Sequence, residues 1–189
     1  VDPVVQGTAV TSALPTGITD LDLILIEVSH GSGGPPGTTI TTPSGWNLLS
    51  NLDDGSTKLP TFWRFFVTGD AAPSFTLGTS RSWCSHSTAF RYVDPQHPFG
   101  PYDMAFQQAA QASASTYTSA TITPLDAGAM LVVCWGGKIA AGATQTITVA
   151  SGWMPTSPIN QSTVPATVST WAHFQYKPLG PPVATSEVV

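Results

Sequence analysis

The stretch Leu21–Ser29, with the sequence LDLILIEVS, is a nearly continuous aliphatic run of the length of one β-strand. A short apolar run bounded by turn signals is typical of a strand that is buried in a core. The residues that follow, His30–Gly37 (HGSGGPPG), are rich in Gly and Pro and predict a loop. The stretch therefore predicts a buried β-strand in the core of a sheet, with other parts of the chain packed against it.

A second decisive segment is Leu59–Thr68 (LPTFWRFFVT), which is rich in aromatic residues. Side chains alternate between the two faces of a strand, so Trp63 and Phe65 are expected on one face and Phe62 and Phe66 on the other. One face belongs to the core. The other is either covered by a second layer or exposed as a contact surface.

Other segments also have the composition of strands separated by turn residues. They are Val4–Ala13, Thr38–Thr42, Trp46–Leu49, Ser74–Leu77, Ser82–Val93, Thr116–Ile122, Ala129–Trp135, Thr144–Val149, Gly152–Met154 and Ser169–Tyr176. Only Met104–Ala114 has helical propensity, and it lacks a 3.6-residue apolar stripe, so we expect a linker or the start of a strand. The fold class predicted is all-β with almost no helix.

The composition supports this fold class and excludes several functions. Charged residues make up 9 % of the chain, against roughly 25 % in an average soluble domain. The net charge is −5 and the six basic residues are widely separated, so no basic stripe exists for nucleic-acid binding. The longest apolar run, Leu21–Val28, is too short to cross a membrane.

Two pairs of segments match at a constant separation of 107 residues (22 to 129, and 40 to 147). Asp22–Val28 (DLILIEV) matches Ala129–Trp135 (AMLVVCW), and Ile40–Trp46 (ITTPSGW) matches Ile147–Trp153 (ITVASGW). In each Ser-Gly-Trp sequence, Gly is expected to supply a positive φ for a tight turn and Trp to cap the core. The pattern predicts an internal duplication.

Each half also ends in an aromatic strand, Phe90-Arg91-Tyr92 in the first and Phe174-Gln175-Tyr176 in the second. This match has a separation of 84 residues (90 to 174), so the second half is expected to lack chain equivalent to the region around Asp53–Phe75. We expect a jelly-roll-like β-sandwich in one domain, residues 1–177. Its repeated halves are about 1–95 and 112–177, and 178–189 form an extended C-terminal tail.

The acidic residues predict turns and no catalytic pair. Asp53 and Asp54 lie in the sequence DDGS, which indicates a hairpin tip, and Asp20 is also expected in a turn. Asp22 and Glu27 fall on opposite faces of one strand, so they cannot form a carboxylate pair there.

Other reactive residues also lack a catalytic pattern. The four histidines, His30, His86, His97 and His173, have no metal-binding spacing. The chain has neither the G-x-S-x-G sequence of a nucleophile elbow nor a phosphate-binding loop. We predict no enzyme, and no catalytic, cofactor-binding or metal-binding residues. Cys84 and Cys134 are either two buried thiols or a disulfide across the sandwich.

The order of motifs is distinctive: LDLILIEV, the corner PSGW, FWRFFVTGDAAPSFTL, AFRYVDP and then a second SGW. This order resembles a group of duplicated β-sandwich proteins of tailed bacteriophages and prophages, described as virion or minor tail proteins. The likeness covers roughly residues 8–178. The second corner departs from the pattern, with Ala150 where the first has Pro43.

The resemblance implies a non-catalytic structural role in the virion, assembled in the bacterial cytoplasm. It implies a capsid decoration (cement) protein, a head fibre, or a tail-tip or fibre subunit, with other virion proteins (major capsid or tail proteins) and copies of itself as partners. The alternative is a carbohydrate-binding or cell-surface adhesion module that recognises a glycan or host surface through exposed aromatics such as Trp63. No cofactor, nucleic-acid or membrane partner is expected.

Overall fold

The computed structural model of the protein describes residues 4–31, 39–96, 109, 118–119, 121–124, 129–140, 143–156, 160–161 and 168–178. Within these residues the regular structure consists of ten β-strands and no helix. The strands are β1 (Val4–Thr11), β2 (Leu23–Gly31), β3 (Ile40–Thr41), β4 (Asn47–Asp53), β5 (Thr57–Phe65), β6 (Ser74–Phe90), β7 (Met130–Ala140), β8 (Met154–Pro155), β9 (Asn160–Gln161) and β10 (Val168–Pro178).

The strands form two antiparallel sheets. The first has the order β1-β6-β2-β5-β4, with β3 also paired to β6. The second has the order β7-β10-β8, with β9 also paired to β10. The predicted all-β fold built from antiparallel sheets is therefore confirmed, and it fits a β-sandwich.

Strand β2 is the centre of the first sheet and is buried on both faces, as the aliphatic run predicted. Ile24, Ile26 and Val28 belong to one hydrophobic cluster, here called the first cluster. Leu23 and Leu25 belong to another, the second cluster. Alternation along the strand therefore places a core on each side of this sheet.

The aromatic strand β5 divides its side chains between the same two cores. Phe62 lies in the first cluster, where its ring centroid is 4.8 Å from that of Phe75, and Phe66 packs against this cluster. Trp63 and Phe65 pack against the second cluster. The predicted assignment of faces is confirmed, and both faces pack against protein, with Trp63, Phe65 and Phe66 half-buried.

The second sheet packs on the second cluster. Phe174 of β10 lies in that cluster, and Val132, Cys134 and Tyr176 pack against it. The sheets lie close together at Gly136, where a Cβ atom would clash with Leu59 Cδ1 and would lie 2.6 Å from Glu27 Oε1. Only glycine fits at this position without displacing its neighbours.

The two predicted Trp corners form the same turn. In Pro43–Trp46 and in Ala150–Trp153, the closing Trp N–H donates to the first carbonyl at 3.1 Å. Gly45 and Gly152 have φ values of 77° and 85°, as the third residue of a type II turn requires. Both Trp side chains are buried, with 8 % exposure, so the predicted corners are confirmed.

The order β2-β5-β4 in the first sheet has the same pairing pattern as β7-β10-β8 in the second. The corresponding register pairs are Leu23–Phe65 with Met130–Pro178, and Asn47–Trp63 with Met154–Tyr176. In this comparison β10 takes the place of β5, so the match of Phe174–Tyr176 with Phe90–Tyr92 does not reflect equivalent strand positions. Aromatic residues alternate in many strands, which explains the misleading similarity. Duplication of the halves stays a prediction.

Two strands expected to be separate are joined in the structure. Ser74–Leu77 and Ser82–Val93 were expected as separate strands, but the structure has one long strand, β6, over Ser74–Phe90. Strand β1 pairs with both parts of β6, and the register of this pairing shifts between Gly7 and Ala9.

Residues 144–149, expected as a strand, have no regular structure. Their alternating pattern is not accompanied by pairing with any described strand, and a strand needs a partner. The segment Met104–Ala114, apart from Ala109, lies outside the described residues, as do residues 179–189 of the expected tail.

Candidate functional site

Three exposed apolar side chains lie at one end of the first sheet. Leu23 pairs with both Phe90 and Phe65. Leu21 lies two residues before Leu23, Tyr92 two residues after Phe90, and Val67 two residues after Phe65. Their exposures are 57 % for Leu21, 53 % for Val67 and 101 % for Tyr92. We call these three residues the apolar row.

Two members of the apolar row have an unusual backbone. Leu21 has φ 69° and Tyr92 has φ 62°, and they are the only non-glycine residues with positive φ in the described part of the chain. A bulky residue in this conformation costs about 1–3 kcal/mol and persists only where surrounding structure enforces it. The conformation holds both apolar side chains out in solvent.

The ion pair between Asp22 and Arg91 helps to enforce the positive φ of Leu21 and Tyr92. The carboxylate of Asp22 accepts from Thr19 N at 2.9 Å and from Arg91 Nε at 3.3 Å. The hydrogen bond from Thr19 N, together with Arg91, lowers the pKa of Asp22. Arg91 Nη2 also donates to Gly17 O at 2.6 Å. The residues next to Leu21 and Tyr92 are thereby bonded to each other.

Val67 and the loop around it are held in a similar way. Val67 N donates to Asp70 Oδ2 at 2.9 Å, and the same carboxylate forms an ion pair with Arg64. Asp20 Oδ1 accepts from Thr68 N at 2.5 Å and from Thr68 Oγ1 at 2.6 Å. These bonds join the turn before β2 to the loop after β5, beside the apolar row.

Aspartates throughout the described structure form hydrogen bonds within the chain. Every aspartate among the described residues accepts a hydrogen bond from a turn or loop, and these are Asp20, Asp22, Asp53, Asp54, Asp70 and Asp94. Asp53 also pairs with Lys58 at 3.1 Å. The predicted DDGS hairpin tip is confirmed, with Gly55 at φ 82°. These acids stabilise loops, and none faces another carboxylate across a cleft in the described structure.

A second group of polar residues is buried between the sheets. Glu27 of β2 is fully buried and stands opposite Thr61 of β5 and His86 of β6 in the strand register. Burial raises the pKa of Glu27 well above its usual value, despite the nearby Cys134 thiol. Neither carboxyl oxygen accepts a conventional hydrogen bond from the residues described. Glu27 thus favours its uncharged form.

Two histidines meet at the same interface. The ring centroids of His86 and His173 are 6.3 Å apart. Burial lowers the pKa of each to about 4, and the neighbouring His86 contributes to the shift of His173. His86 Nε2 lies within hydrogen-bond distance of the Thr156 hydroxyl, at 3.2 Å, and this hydroxyl also lies 3.3 Å from Phe174 O. We call Glu27, Thr61, His86, Cys134 and His173 the buried polar cluster.

No site residues are predicted by the sequence, and neither the apolar row nor the buried polar cluster could be recognised in it. Leu21 lies in the run predicted to be buried and Tyr92 in a predicted alternating strand, and no Gly or Asn marks their positive φ. The signal for the cluster was a lone acid, Glu27, within an aliphatic run. Neither Cys84 nor Cys134 forms a disulfide, so the thiol alternative holds.

Among the residues described, no group of three or more His, Cys, Asp or Glu side chains is arranged to hold a metal ion. No described helix is long and apolar enough to span a membrane. Comparisons with protein families, with curated proteins and with solved structures found no match.

Proposed function

We propose that this chain is a non-catalytic structural subunit of a bacteriophage virion that assembles through protein contacts at the apolar row. The observation that carries the proposed contact surface is the exposure of Leu21 and Tyr92 in a strained backbone conformation. The assignment to a virion rests on the resemblance of the motif order in the sequence. Strain that surrounding ion pairs maintain at an exposed apolar site is a mark of a binding surface.

The row has the composition of an interface centre. Aromatic and aliphatic side chains are favoured there, and charged residues are depleted because they lose water on binding. The nearby charges of Asp22, Arg91 and Asp70 are already engaged in bonds within the chain. A partner can therefore cover Leu21, Val67 and Tyr92 without leaving these charges unpaired at the interface.

The sandwich itself supports the same role. A sheet with cores on both faces is a rigid platform, and its low content of charge suits close packing against neighbours. We propose that the partners are major capsid or tail proteins and further copies of the chain. The chain then acts as a capsid decoration, head-fibre, tail-tip or fibre subunit, and its location is the virion.

The rival function, glycan recognition, requires an aromatic ring exposed for stacking on a sugar. Trp63 does not provide it, because Trp63 packs against the second cluster and makes an edge contact with Phe65 at 6.0 Å. Tyr92 is the fully exposed aromatic of the described surface. The rival therefore depends on Tyr92, which makes the two functions separable by experiment.

The first experiment is mass spectrometry of purified particles from the phage that encodes the chain. We expect the chain in mature virions at a fixed ratio to the major capsid or tail protein. Absence from particles of a phage that expresses it would overturn the virion assignment.

The second experiment tests the surface. The double variant Leu21→Ser/Tyr92→Ser should fold but fail to enter particles, whereas Leu48→Ser, which removes an exposed leucine on β4, should enter normally. Equal incorporation of both variants would refute the role of the apolar row. Glycan-array binding by the wild type that is lost in Tyr92→Ser would favour the rival.

A further inference from the structure

A cavity of about 160 Å³ lies between the β4–β5 edge of the first sheet and β7 of the second. Its walls are mainly apolar and include Leu52, Leu59, Leu131 and Trp135. For comparison, an apolar cavity of about 150 Å³ can bind benzene in a protein core. The space is thus sufficient for one small molecule.

One part of the cavity wall is polar. Ser50 and Thr61, which are register partners on β4 and β5, line it together with Cys134 of β7. Thr61 is 2 % exposed, so its hydroxyl is shielded from bulk solvent. A buried hydroxyl favours a hydrogen-bonding partner over bare hydrocarbon.

The polar part continues into the core. Glu27 stands opposite Thr61 on the neighbouring strand, and the Cys134 thiol interacts with both residues. The carboxyl oxygens of Glu27 have no conventional hydrogen-bond partner among the described residues. Among the described residues that line the cavity there is no Lys, Arg or His. An anion would therefore meet no compensating positive charge, so the wall selects for an uncharged ligand.

We propose that this cavity binds a small, uncharged, mainly apolar molecule with one hydroxyl group, about the size of phenol. The ring or alkyl part contacts Leu52, Leu59 and Leu131, and the hydroxyl group hydrogen-bonds to Thr61. This binding function is independent of virion assembly, because the apolar row lies elsewhere on the first sheet, beyond Leu23, Phe65 and Phe90.

The test is titration of the full chain with phenol, benzene and benzoate, followed by NMR chemical shifts. We expect phenol to bind with a dissociation constant on the order of 1 mM. Benzene should bind about fivefold more weakly, because one net hydrogen bond is lost, and benzoate should not bind. Thr61→Val should abolish the preference for phenol over benzene.

Leu52→Phe fills the cavity and should abolish binding of both neutral molecules. Leu48→Phe is the matched control, because Leu48 is on the same strand, is exposed and does not line the cavity. If Leu52→Phe does not fold by circular dichroism, Leu131→Phe replaces it. The proposal is overturned if neither phenol nor benzene binds, if the filled variant binds as well as the wild type, or if phenol shows no preference that depends on Thr61.

Discussion

Glu27 and His86 stand directly opposite each other on β2 and β6, buried between the two sheets. Burial shifts their pKa values in opposite directions, upwards for Glu27 and down to about 4 for His86. Both side chains therefore favour their uncharged forms in the folded protein. The free energy of unfolding is therefore expected to decrease as pH rises, because of Glu27, and also to decrease as pH falls, because of His86.

Replacing Glu27 by Gln should stabilise the protein at neutral pH. The folded chain holds the Glu27 proton above pH 4.5, where the unfolded chain releases it, so the wild type loses stability as pH rises through this range. Gln has nearly the same shape and cannot ionise. Urea unfolding from pH 4.5 to 8 should show a gain for Glu27→Gln that grows with pH. A constant difference across this range would contradict the assignment.

The histidines predict the opposite trend at acidic pH. Unfolded His binds a proton below pH 6.5, whereas His86 and His173 resist protonation until about pH 4. Stability should therefore be intact above pH 6.5 and fall between pH 6.5 and 4, by up to about 3 kcal/mol for each histidine. His86→Gln and His173→Gln should each flatten this slope in thermal unfolding. An unchanged slope in both variants would refute the prediction.

The strained conformation of Tyr92 predicts a gain in stability when its side chain is replaced. Asn tolerates positive φ, and the Tyr92 side chain is fully exposed, so Tyr92→Asn should raise the free energy of unfolding by about 1 kcal/mol. Leu48→Asn is the control, because Leu48 is exposed but does not have positive φ. A loss of stability in Tyr92→Asn would show that the ring makes contacts that its exposure does not reveal.

The close approach of the two sheets at Gly136 predicts a steric effect. A methyl group there meets Leu59 and Glu27, so Gly136→Ala should lower the free energy of unfolding by about 1–3 kcal/mol. Gly78→Ala on β6 is the matched control, since a Cβ atom at Gly78 meets nothing within 4 Å. Denaturant unfolding of both variants measures the difference. Equal effects would mean that the sheets separate easily at Gly136.

Local patterns in the sequence were sufficient for the fold class and for several details. The aliphatic run around Ile24 predicted a buried strand, parity separated Trp63 from Phe62, and the Ser-Gly-Trp sequences predicted both corners. These features depend on the residues themselves and on their immediate neighbours in the chain, which is why they can be predicted from the sequence.

The features that depend on distant parts of the chain could not be predicted. The positive φ of Leu21 is enforced by bonds to residues far along the chain, including that between Asp20 and Thr68. The burial of Glu27 depends on the approach of Gly136 from the other sheet. The similar pairing patterns of β10 and β5 are seen only in the strand registers, which a short motif such as Phe-x-Tyr does not determine.

Strand β6 joins the two cores covalently. It contributes Phe75, Leu77 and Trp83 to the first cluster and Phe90 to the second. Detaching this strand would expose both hydrophobic interiors at once. The molecule should consequently melt in a single cooperative step, and a partner that binds either layer would raise the melting temperature of the whole.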